Sequence, residues 1–472
     1  MIAMKASEIA SVVQGTLHGD DVTVTQAAVI NSSEAIAGSL FLAIKGERVD
    51  GHDFVADART HGAVLTLSTK SVAGSHIVVA DVVVALGKLA QHVRSNLLNL
   101  TVIGITGSQG KTTTKELLTA ILSAAAPTVA PHGNFNNEIG APLSLLHCTE
   151  ETKYCVVEMG ARHKGDIAHL CSIAQPNIGL VLKVGTAHLG EFGSVEAIAQ
   201  TKSELISSLS ADAIGILGTY DDFTPKMAAL HKGKNLTFGE GPECDIRATD
   251  IEVREGRAHF DLVTPEGRSA VGLRIVGLHQ VANALAVASV ATVLGFSLDQ
   301  IASGLSTAES QAKWRMEIEE LPSLVLINDA YNASPEAMAA ALQTLVLFAQ
   351  ERGGESWAFL GKMHELGESS DADHAGVGTL ASELGIDHLV CVGAPQYGAQ
   401  IAAGSATTVH LCADKAEALA VAAHINPGDV ALVKASRSEK LEELADSISA
   451  QWMGRIQEMQ EMQEMKESEE NS

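Results

Sequence analysis

The chain has 472 residues, and 32 Lys or Arg against 57 Asp or Glu give it a formal net charge of −25 at pH 7. This charge argues against nucleic acid as a partner, because affinity for nucleic acid comes largely from Lys and Arg that neutralise phosphates. Hydrophobic residues make up 46% of the chain but aromatic residues only 4%, which is typical of α/β cores built from Ala, Val, Leu and Ile. The length favours several domains, and the positions of the predicted turns and linkers fit three.

The six cysteines include no Cys-x-x-Cys pair, and several lie inside apolar runs. This pattern predicts reduced thiols in the core. No apolar stretch approaches the roughly 20 residues needed to span a bilayer, and the first residues lack the apolar core of a signal peptide. We therefore expect a cytoplasmic protein without a membrane partner.

Residues 1–98 carry short strands and turns and are predicted to form a small N-terminal α/β domain. An apolar run within 38–46 ends at Lys45 and leads into a polar, Gly-containing loop at 50–54. The apolar spacing after Asp81 predicts a helix, and residues 96–99 are predicted to form a hinge.

The segment 102–114 predicts a strand, a phosphate-binding loop and a helix. Glycines such as Gly107 and Gly110 let backbone N–H groups surround phosphate oxygens, Lys111 adds a positive charge, and Thr112 is placed to hold Mg²⁺. The general P-loop pattern has a glycine where this chain has Ile105, so the match is loose. The alternative is a glycine-rich turn that binds nothing.

Continuous apolar runs follow at 154–159, 178–184 and 213–217, after the first at 101–106. Runs without alternation are typical of a parallel sheet that is covered on both faces. Alternating residues after 245 predict a small antiparallel part, and an Ala-rich helix is predicted at 279–294. The sequence therefore predicts a central domain at 99–311 with a doubly wound sheet.

A third unit at 312–456 repeats the alternation of strand and helix. Its predicted strands lie at 324–328, 357–361, 388–392 and 430–434. This pattern predicts a C-terminal Rossmann-like domain. Residues 457–472 form a low-complexity acidic tail, in which methionines recur at every third position from 459 to 465. This pattern predicts a solvated helix or a weak coiled contact.

Three polar residues follow the strands of the central sheet. Glu158 ends an apolar strand beside the phosphate loop and is either a Mg²⁺ ligand or an ordinary acid at a strand end. His188 and Lys202 follow the strand at 178–184 and face the same crevice. Their spacing leaves open whether they act on a metal or a phosphate, or only pack.

The order Thr-Gly-x-x-Gly-Lys-Thr, Glu-Met-Gly-Ala, Ala-His-Leu and Lys-x-Glu is similar to that of the ATP-dependent Mur ligases of peptidoglycan synthesis. In that family the lysine matching Lys202 is carbamylated. The resemblance therefore implies that modified Lys202 and His188 share a second Mg²⁺, while Thr112 and Glu158 hold the first.

Two further segments resemble nucleotide-binding parts of the family. Residues 277–284 match Gly-x-His-Asn-x-x-Asn-Ala, with Gln280 in place of the first asparagine, and imply that Asn283 approaches the adenine. Residues 314–317 match Gly-Arg-Met-Glu, with Trp314 in place of glycine, and imply that Arg315 reaches the phosphates. The alternatives are core packing and an ordinary surface arginine.

Residues 329–335 resemble the Asp-x-Tyr-Asn-Ala-Asn-Pro segment of the family members that add a dipeptide. The resemblance places Asp329 on the ATP ribose, and Tyr331 and Asn332 in the site between domains. Segments 360–367 and 433–437 also match, and the resemblance implies that they contribute the third-domain contacts to the incoming dipeptide. Each has a departure, since Lys362 replaces an aspartate and Ala435 a glycine.

In the first domain, Ser32 lies where Asp-Ser-Arg is common, and its match implies a contact to the uridine. Lys45 is a further candidate for the same substrate. Asn136 and Asn137 are expected to orient the muramoyl peptide, the alternative being a polar turn before a helix. Because the nucleotide must touch the second and third domains together, we expect closure of the third domain to assemble the site.

The resemblance thus implies a monomeric ligase that joins D-alanyl-D-alanine to UDP-N-acetylmuramoyl-tripeptide through an acyl phosphate, using ATP and Mg²⁺. The residues expected to act in catalysis are Lys111, His188 and Lys202. Those expected to bind ATP are Gly107, Ser108, Gln109, Gly110, Lys111, Thr112, Thr113, Asn283, Arg315 and Asp329. Two alternatives stay open: a Mur-type or folylpolyglutamate-type ligase that adds one amino acid, and an inactive nucleotide-binding regulatory module, suggested by Gln280, Lys362 and Ala435.

Overall fold

Three α/β units follow one another along the chain in the computed structural model, which describes residues 1–46, 48–131, 135–187, 189–309, 313–402 and 404–470, the last eight as backbone alone. Each sheet lies within one of the three predicted domains. None of the helices in this described part is both long and apolar enough to cross a membrane.

The N-terminal unit contains a five-stranded mixed sheet in the order β2-β7-β6-β5-β4 and a two-stranded ribbon, β1-β3. Its strands are β1 Met4–Lys5, β2 Thr16–His18, β3 Thr23–Val24, β4 Ala28–Val29, β5 Leu40–Leu42, β6 Leu65–Ser68 and β7 His76–Val78. Its helices are α1 Ala6–Val13, α2 Val55–His61 and α3 Val82–Asn96. Helix α3 begins where predicted, because the Asp81 side chain accepts hydrogen bonds from the N–H groups of Val83 and Val84.

The central unit contains a nine-stranded sheet in the order β16-β15-β14-β13-β12-β11-β8-β10-β9. Its strands are β8 Thr101–Thr106, β9 Thr128–Val129, β10 Tyr154–Glu158, β11 Ile178–Val181, β12 Ile214–Gly218, β13 Lys234–Gly239, β14 Ile246–Arg254, β15 Arg257–Thr264 and β16 Gly267–Val276. Its helices are α4 Lys111–Ala125, α5 Gly140–Leu146, α6 Asp166–Ala174, α7 Leu189–Phe192, α8 Val195–Ser207, α9 Gln280–Val293 and α10 Leu298–Thr307. Neighbours from β9 to β14 are parallel, and β14 to β16 form the predicted antiparallel part.

The C-terminal unit contains a six-stranded sheet in the order β17-β18-β22-β19-β20-β21, parallel except at the β17 edge. Its strands are β17 Glu317–Leu321, β18 Leu324–Asp329, β19 Ser356–Leu360, β20 His388–Val392, β21 Thr408–Cys412 and β22 Val430–Lys434. Its helices are α11 Pro335–Arg352, α12 Ser370–Glu383, α13 Lys415–Ala422 and α14 Glu442–Glu470. Residues 457–470 of the predicted tail thus continue helix α14.

The apolar cores show how the units are joined. One buried cluster contains both Leu40 and Leu65 of the N-terminal sheet and Val157 and Ile167 of the central unit. A second cluster covers the other face of the central sheet, under α4 and α9. The C-terminal sheet has separate clusters on its two faces. The first two units therefore share an extensive core, whereas the clusters of the third unit include a single buried residue of the central unit, Val276.

Candidate active site

The loop between β8 and α4 has the geometry that a phosphate-binding turn requires. Gly110 has φ 82°, and a Cβ atom there would lie 2.2 Å from the Asn283 Oδ1 atom, so conformation and space both demand glycine. The Lys111 Nζ atom donates to the Gly107 carbonyl at 2.7 Å, which folds the side chain over the loop. Burial lowers the pKa of Lys111, an effect that the Glu158 carboxylate opposes and Arg315 reinforces.

An oxygen-rich cluster lies beside this loop. The Thr112 hydroxyl donates to one oxygen of Glu158 at 3.2 Å, and the Asn136 amide donates to the other at 3.0 Å. Glu158 is only 1% exposed, because β10 lies next to β8 and both strands end at this edge of the sheet. A hydroxyl and a carboxylate that converge from neighbouring elements fit Mg²⁺, which takes one or two carboxylates together with water and phosphate oxygens.

Lys202 of helix α8 lines the same cleft and is 6% exposed. Burial, together with the charge of Lys111, lowers the pKa of Lys202 to about 7. The neutral amine of Lys202 is therefore far more populated near pH 7 than that of an ordinary lysine, and a neutral amine is a nucleophile. His188, its predicted partner, lies outside the described residues.

Asn283, at the start of α9, is fixed by two hydrogen bonds. Its amide donates to the Gln280 side chain at 2.7 Å, and its oxygen accepts from the Thr114 hydroxyl at 3.3 Å. Gln280, which departs from the family pattern, thus holds Asn283 in place. Burial lowers the pKa of the neighbouring His279 to about 4, so its ring is neutral near pH 7.

The C-terminal unit supplies the opposite wall of the cleft. The Arg315 guanidinium carbon lies 3.9 Å from the centre of the Tyr331 ring, a cation–π contact. Asp329 and Lys434 end paired parallel strands, and the Lys434 Nζ atom lies 2.5 Å from an Asp329 oxygen. Lys434 also donates to the Asn332 carbonyl at 2.9 Å.

Hydrogen bonds connect the two walls directly. Glu336, in the first turn of α11, accepts from the Thr186 N–H at 2.9 Å and from its hydroxyl at 2.8 Å. The Gln109 amide of the phosphate loop donates to the Ser334 hydroxyl at 3.1 Å. The Gly190 N–H donates to the Glu365 carbonyl at 2.9 Å. The loop and the C-terminal unit therefore face one shared space.

That space is a cleft of about 1060 Å³. Among the described residues it is lined by seven Lys or Arg and six Asp or Glu side chains, although acids greatly outnumber bases in the whole chain. The cleft is thus locally suited to anionic ligands. Charge near a low-dielectric wall acts strongly on such ligands.

Most of the predicted site residues line this cleft. They are Ser108, Gln109, Gly110, Lys111, Thr112, Thr113, Asn136, Asn137, Glu158, Lys202, Asn283, Arg315, Asp329, Tyr331 and Asn332. Gly107 contributes its carbonyl to Lys111. The Asn137 oxygen accepts from the N–H of Gly140 at 3.1 Å, so this side chain also caps the start of α5.

Two predicted residues are placed elsewhere, and several residues that line the cleft were not predicted. Ser32 is buried in a short helical turn and Lys45 is exposed, and neither lines the cleft. Among the charged lining residues that sequence reasoning did not assign to the site are Arg162, Lys183 and Glu336. Lys183 follows β11 at the sheet edge where binding residues are expected, so its position alone could have identified it.

Trp314, which departs from the family glycine, does adopt the left-handed backbone conformation, with φ 60°. Its ring lies under the Arg437 guanidinium, 4.3 Å from that carbon atom. Lys362 is exposed and does not line the cleft, and Ala435 is buried. Neither Lys362 nor Ala435 is among the described residues that line the cleft.

A phosphate loop that faces a Rossmann-like unit across one cleft defines a nucleotide-dependent transferase or ligase. Three family models match the chain: the Mur ligase family catalytic domain at 26–94, the Mur ligase middle domain at 105–291, and the Mur ligase glutamate ligase domain at 314–437. Together with the relatives described next, these matches show that the chain belongs to the Mur ligase family.

Within the family, the similarity extends over nearly the whole chain to ligases named for one reaction. UDP-N-acetylmuramoyl-tripeptide–D-alanyl-D-alanine ligase of Mycobacterium tuberculosis is 39% identical, over 95% of this chain and 98% of the relative. The Escherichia coli protein of the same name is 34% identical, over 86% and 89%.

Solved structures of ligases from the same family resemble this chain in fold as well as in sequence. A crystal structure of MurF from Acinetobacter baumannii has a TM-score of 0.86 and 35% identity, and the match covers 95% of this chain and 99% of that one. MurF from Thermotoga maritima in complex with ADP has a TM-score of 0.79 and 31% identity, with coverage of 92% and 99%. A pseudomurein peptide ligase from Methanothermus fervidus, at 18% identity and a TM-score of 0.60, shares the fold alone.

Proposed function

We propose that this protein is an ATP-dependent ligase that joins D-alanyl-D-alanine to UDP-N-acetylmuramoyl-tripeptide. The observation that carries the proposal is that the phosphate loop and two residues of the C-terminal unit, Arg315 and Asp329, line the same cleft. The chain has this cleft and is 34–39% identical, over most of its length, to ligases named for this reaction.

The reaction needs activation, because a carboxylate is a poor electrophile towards an amine. We infer that the tripeptide carboxylate attacks the γ-phosphorus of ATP, which releases ADP and forms an acyl phosphate. The dipeptide amine then attacks the carbonyl carbon, loses a proton, and displaces inorganic phosphate. Lys111 and the N–H groups of the loop are placed to stabilise charge on the transferred group.

A magnesium ion would be held by Thr112 and Glu158, whose oxygens converge beside the loop. Bound there, the ion would reduce the repulsion between the carboxylate and the triphosphate. The Asn136 amide, by donating to Glu158, orients that carboxylate. His188 is proposed as a ligand of a second ion on the strength of the resemblance.

Lys202 is proposed to be carbamylated. Its lowered pKa supports this step, because the neutral amine attacks carbon dioxide, loses a proton and forms an anionic carbamate. The carbamate would convert a cation into an oxygen donor of the kind that Mg²⁺ prefers. Carbon-13 NMR of protein in labelled bicarbonate should show one carbamate resonance that is absent from Lys202→Met; a resonance retained in that variant would contradict the assignment.

The remaining roles follow the walls of the cleft. We propose that Arg315 contacts the nucleotide phosphates, Asp329 the ribose and Asn283 the adenine, while Asn136, Asn137, Tyr331 and Asn332 contact the peptide substrates. Ser32 and Lys45 are proposed for the uridine end of the substrate, outside the described cleft. A monomeric state, a cytoplasmic location and domains at 1–98, 99–311, 312–456 and 457–472 complete the proposal.

The decisive experiment is the mass of the product formed from ATP, Mg²⁺, the nucleotide tripeptide and the dipeptide. We expect the mass of the joined product and one phosphate released per ligation. Parallel reactions with single amino acids should release little phosphate. Product with a single amino acid would indicate another kind of Mur-type or folylpolyglutamate-type ligase, and nucleotide binding without any product would indicate a regulatory module.

A further inference from the structure

Helix α11 begins at the cleft with a carboxylate. Ser334, Glu336 and Ala337, at the start of this helix, all line the cleft. The N-terminus of a helix carries a partial positive charge, which favours an anion. Glu336 meets that preference with a side chain of the protein itself. The start of α11 is therefore suited to accept hydrogen bonds from the opposite wall of the cleft.

The partners of Glu336 on that wall are uncharged. One of its oxygens accepts from the Thr186 N–H at 2.9 Å, and the Thr186 hydroxyl lies 2.8 and 2.9 Å from the two oxygens. The amide of Gln109, in the phosphate loop, lies 3.4 Å from the second oxygen. Asp329, on the same wall as Glu336, is instead paired with Lys434. Within the described residues, the charge of Glu336 thus acts on two neutral segments of the central unit.

Thr186 belongs to the segment 182–187, which follows β11 and is bonded closely to the phosphate loop. The Ser108 N–H donates to the Lys183 carbonyl at 2.9 Å. The Gly185 N–H donates to the Ser108 hydroxyl at 2.9 Å, and that hydroxyl donates to the Gly185 carbonyl at 3.2 Å. A displacement of Thr186 would therefore be passed to Ser108 and to the turn that surrounds the phosphates.

We propose that Glu336 is a positioning residue for phosphoryl transfer, which holds the segment 182–187 and, through Ser108, the phosphate loop in the reacting arrangement. This inference rests on the proposed function, since it concerns the transfer of the γ-phosphoryl group of ATP. A negative charge on the wall of a cleft that takes a polyphosphate opposes binding, so affinity does not explain it. Alignment of the loop in the transition state does, because only interactions that are stronger there raise kcat.

The test is Glu336→Gln, which keeps the shape of the side chain and one oxygen acceptor but removes the charge. We expect kcat to fall about 10- to 100-fold. KM for ATP and the dissociation constant of a fluorescent ADP analogue should not rise, because the variant removes a charge that repels phosphates. A native kcat would overturn the proposal. Weaker binding of the ADP analogue would also overturn it, since Glu336 would then serve binding.

Glu351→Gln is the matched control. Glu351 lies on the same helix and also bonds to the central unit, where its side chain accepts from the Glu255 N–H at 3.0 Å, but it does not line the cleft. This variant should keep the native kcat. An equal loss of kcat in Glu336→Gln and Glu351→Gln would show that any contact between the two units suffices, and the positioning role would be wrong.

Thr186 tests the same contact from the other wall. Thr186→Val removes the hydroxyl donor and should lower kcat about 3- to 10-fold, whereas Thr186→Ser keeps the hydroxyl and should restore most of that loss. Because the two side chains form one contact, the double variant Glu336→Gln with Thr186→Val should have the kcat of Glu336→Gln alone. A double loss equal to the product of the two single losses would contradict the shared contact.

Urea denaturation separates these effects from misfolding. Glu336→Gln and Thr186→Val should unfold close to the native midpoint, and Thr186→Val carries the test by itself where Glu336→Gln does not fold. A native kcat in a folded Thr186→Val would then overturn the proposal. If the native protein makes no product, the proposed function itself fails, which is a separate outcome.

Discussion

The central unit contacts its two neighbours through interfaces of opposite character. Towards the N-terminal unit it shares a buried apolar core. Towards the C-terminal unit, the contacts that cross the cleft are mainly hydrogen bonds, among them those of Glu336 with Thr186 and of Gly190 with Glu365. The central unit is thus joined to the N-terminal unit by apolar burial and to the C-terminal unit mainly by polar contacts.

The apolar interface centres on helix α3. Its residues Leu86, Leu89 and Val93 are fully buried in the same cluster as Ile167 and Leu170 of α6. Arg94, at the end of α3, donates to the carbonyls of Ala174 and Gln175. Separating these units would expose a continuous apolar surface, so this interface is expected to stay closed throughout the reaction.

The polar interface can exchange its partners for water at little cost, since each hydrogen bond contributes only a modest net free energy. It also contains an apolar contact, where Phe348 of α11 covers Gly256. Because the cleft lies at this interface, opening it would admit substrates and closing it would bring Arg315 towards Lys111. The comparison predicts a fixed pair of units and one moving unit.

Breaking the apolar interface should have the largest effect on stability. Leu89→Ala removes a fully buried side chain and should lower the free energy of unfolding by about 2–5 kcal/mol, measured by urea denaturation. Leu230→Ala, at a residue that is 50% exposed, is the control and should change it by less than about 0.5 kcal/mol. A small loss in Leu89→Ala would mean that the shared core does not hold the units together.

Obstructing the polar interface should reduce activity without reducing stability. A Cβ atom at Gly190 would lie 2.7 Å from the Gly367 nitrogen and 2.9 Å from the Glu365 oxygen, which are backbone atoms that cannot yield without moving the C-terminal unit. Gly190→Ala should therefore lower kcat about 10- to 100-fold. Gly376→Ala, where no atom lies within 4 Å of the new Cβ, should leave kcat unchanged. Native activity in Gly190→Ala would refute closure at this contact.

Lys202 reports on burial inside the cleft. Folding lowers its pKa from 10.5 to about 7, so between these pH values the unfolded chain binds more protons, and this group makes stability rise with pH. Lys202→Met should be more stable than the native protein at pH 6. Its advantage should shrink above pH 7 by up to about 1.4 kcal/mol per pH unit.

The measurement is urea denaturation from pH 6 to pH 9 in buffers free of carbon dioxide, so that no carbamate forms. The control is Lys232→Met, because Lys232 is exposed. Its difference from the native protein should not vary with pH. A difference between Lys202→Met and the native protein that is likewise constant would show that the Lys202 amine is not desolvated.

Removing the Glu336 side chain, which bonds to the central unit across the cleft, should have the smallest effect on stability. Glu336→Ala deletes the acceptor of Thr186 and Gln109 and should change the free energy of unfolding by less than about 1.5 kcal/mol. Without nucleotide, small-angle scattering should give a larger radius of gyration than for the native protein. Glu383→Ala, which removes the same charge from the exposed end of α12, should not. Equal radii in all three proteins would show that Glu336 does not hold the cleft closed.

Local sequence signals predicted much of the fold. Strand β8 and the start of α4 were predicted correctly, because an apolar run gives way to glycines and then to Lys111. Strand β11 ends at Val181, although the apolar run continues to Val184. Residues after Val181 leave the ladder to contact the phosphate loop, where the Ser108 N–H donates to the Lys183 carbonyl. Hydrophobicity alone does not distinguish residues buried within a strand from residues buried against the phosphate loop.

Contacts between distant segments could not be predicted. Glu336 lies 150 residues from its partner Thr186, and nothing in either local sequence identifies the other. The core shared by the first two units likewise depends on how α3 packs, not on its apolar spacing. In the sequence, Trp314 is visible only as a departure from the family glycine, because its contact with Arg437 forms only when the two segments meet in the fold.

The balance of charge in the cleft has a kinetic consequence. The nucleoside triphosphate and the nucleotide-linked peptide are anions, and the negative charge of the whole chain repels them. Among the described residues, the cleft brings seven Lys or Arg side chains together with six Asp or Glu, so anions meet less repulsion there than the overall charge of the chain implies. Added salt should therefore have two opposing effects on the rate at which these substrates bind. It screens their repulsion by the acidic surface, and it also screens their attraction to the Lys and Arg side chains of the cleft. The ionic-strength dependence of association rates would reveal which of the two governs substrate entry.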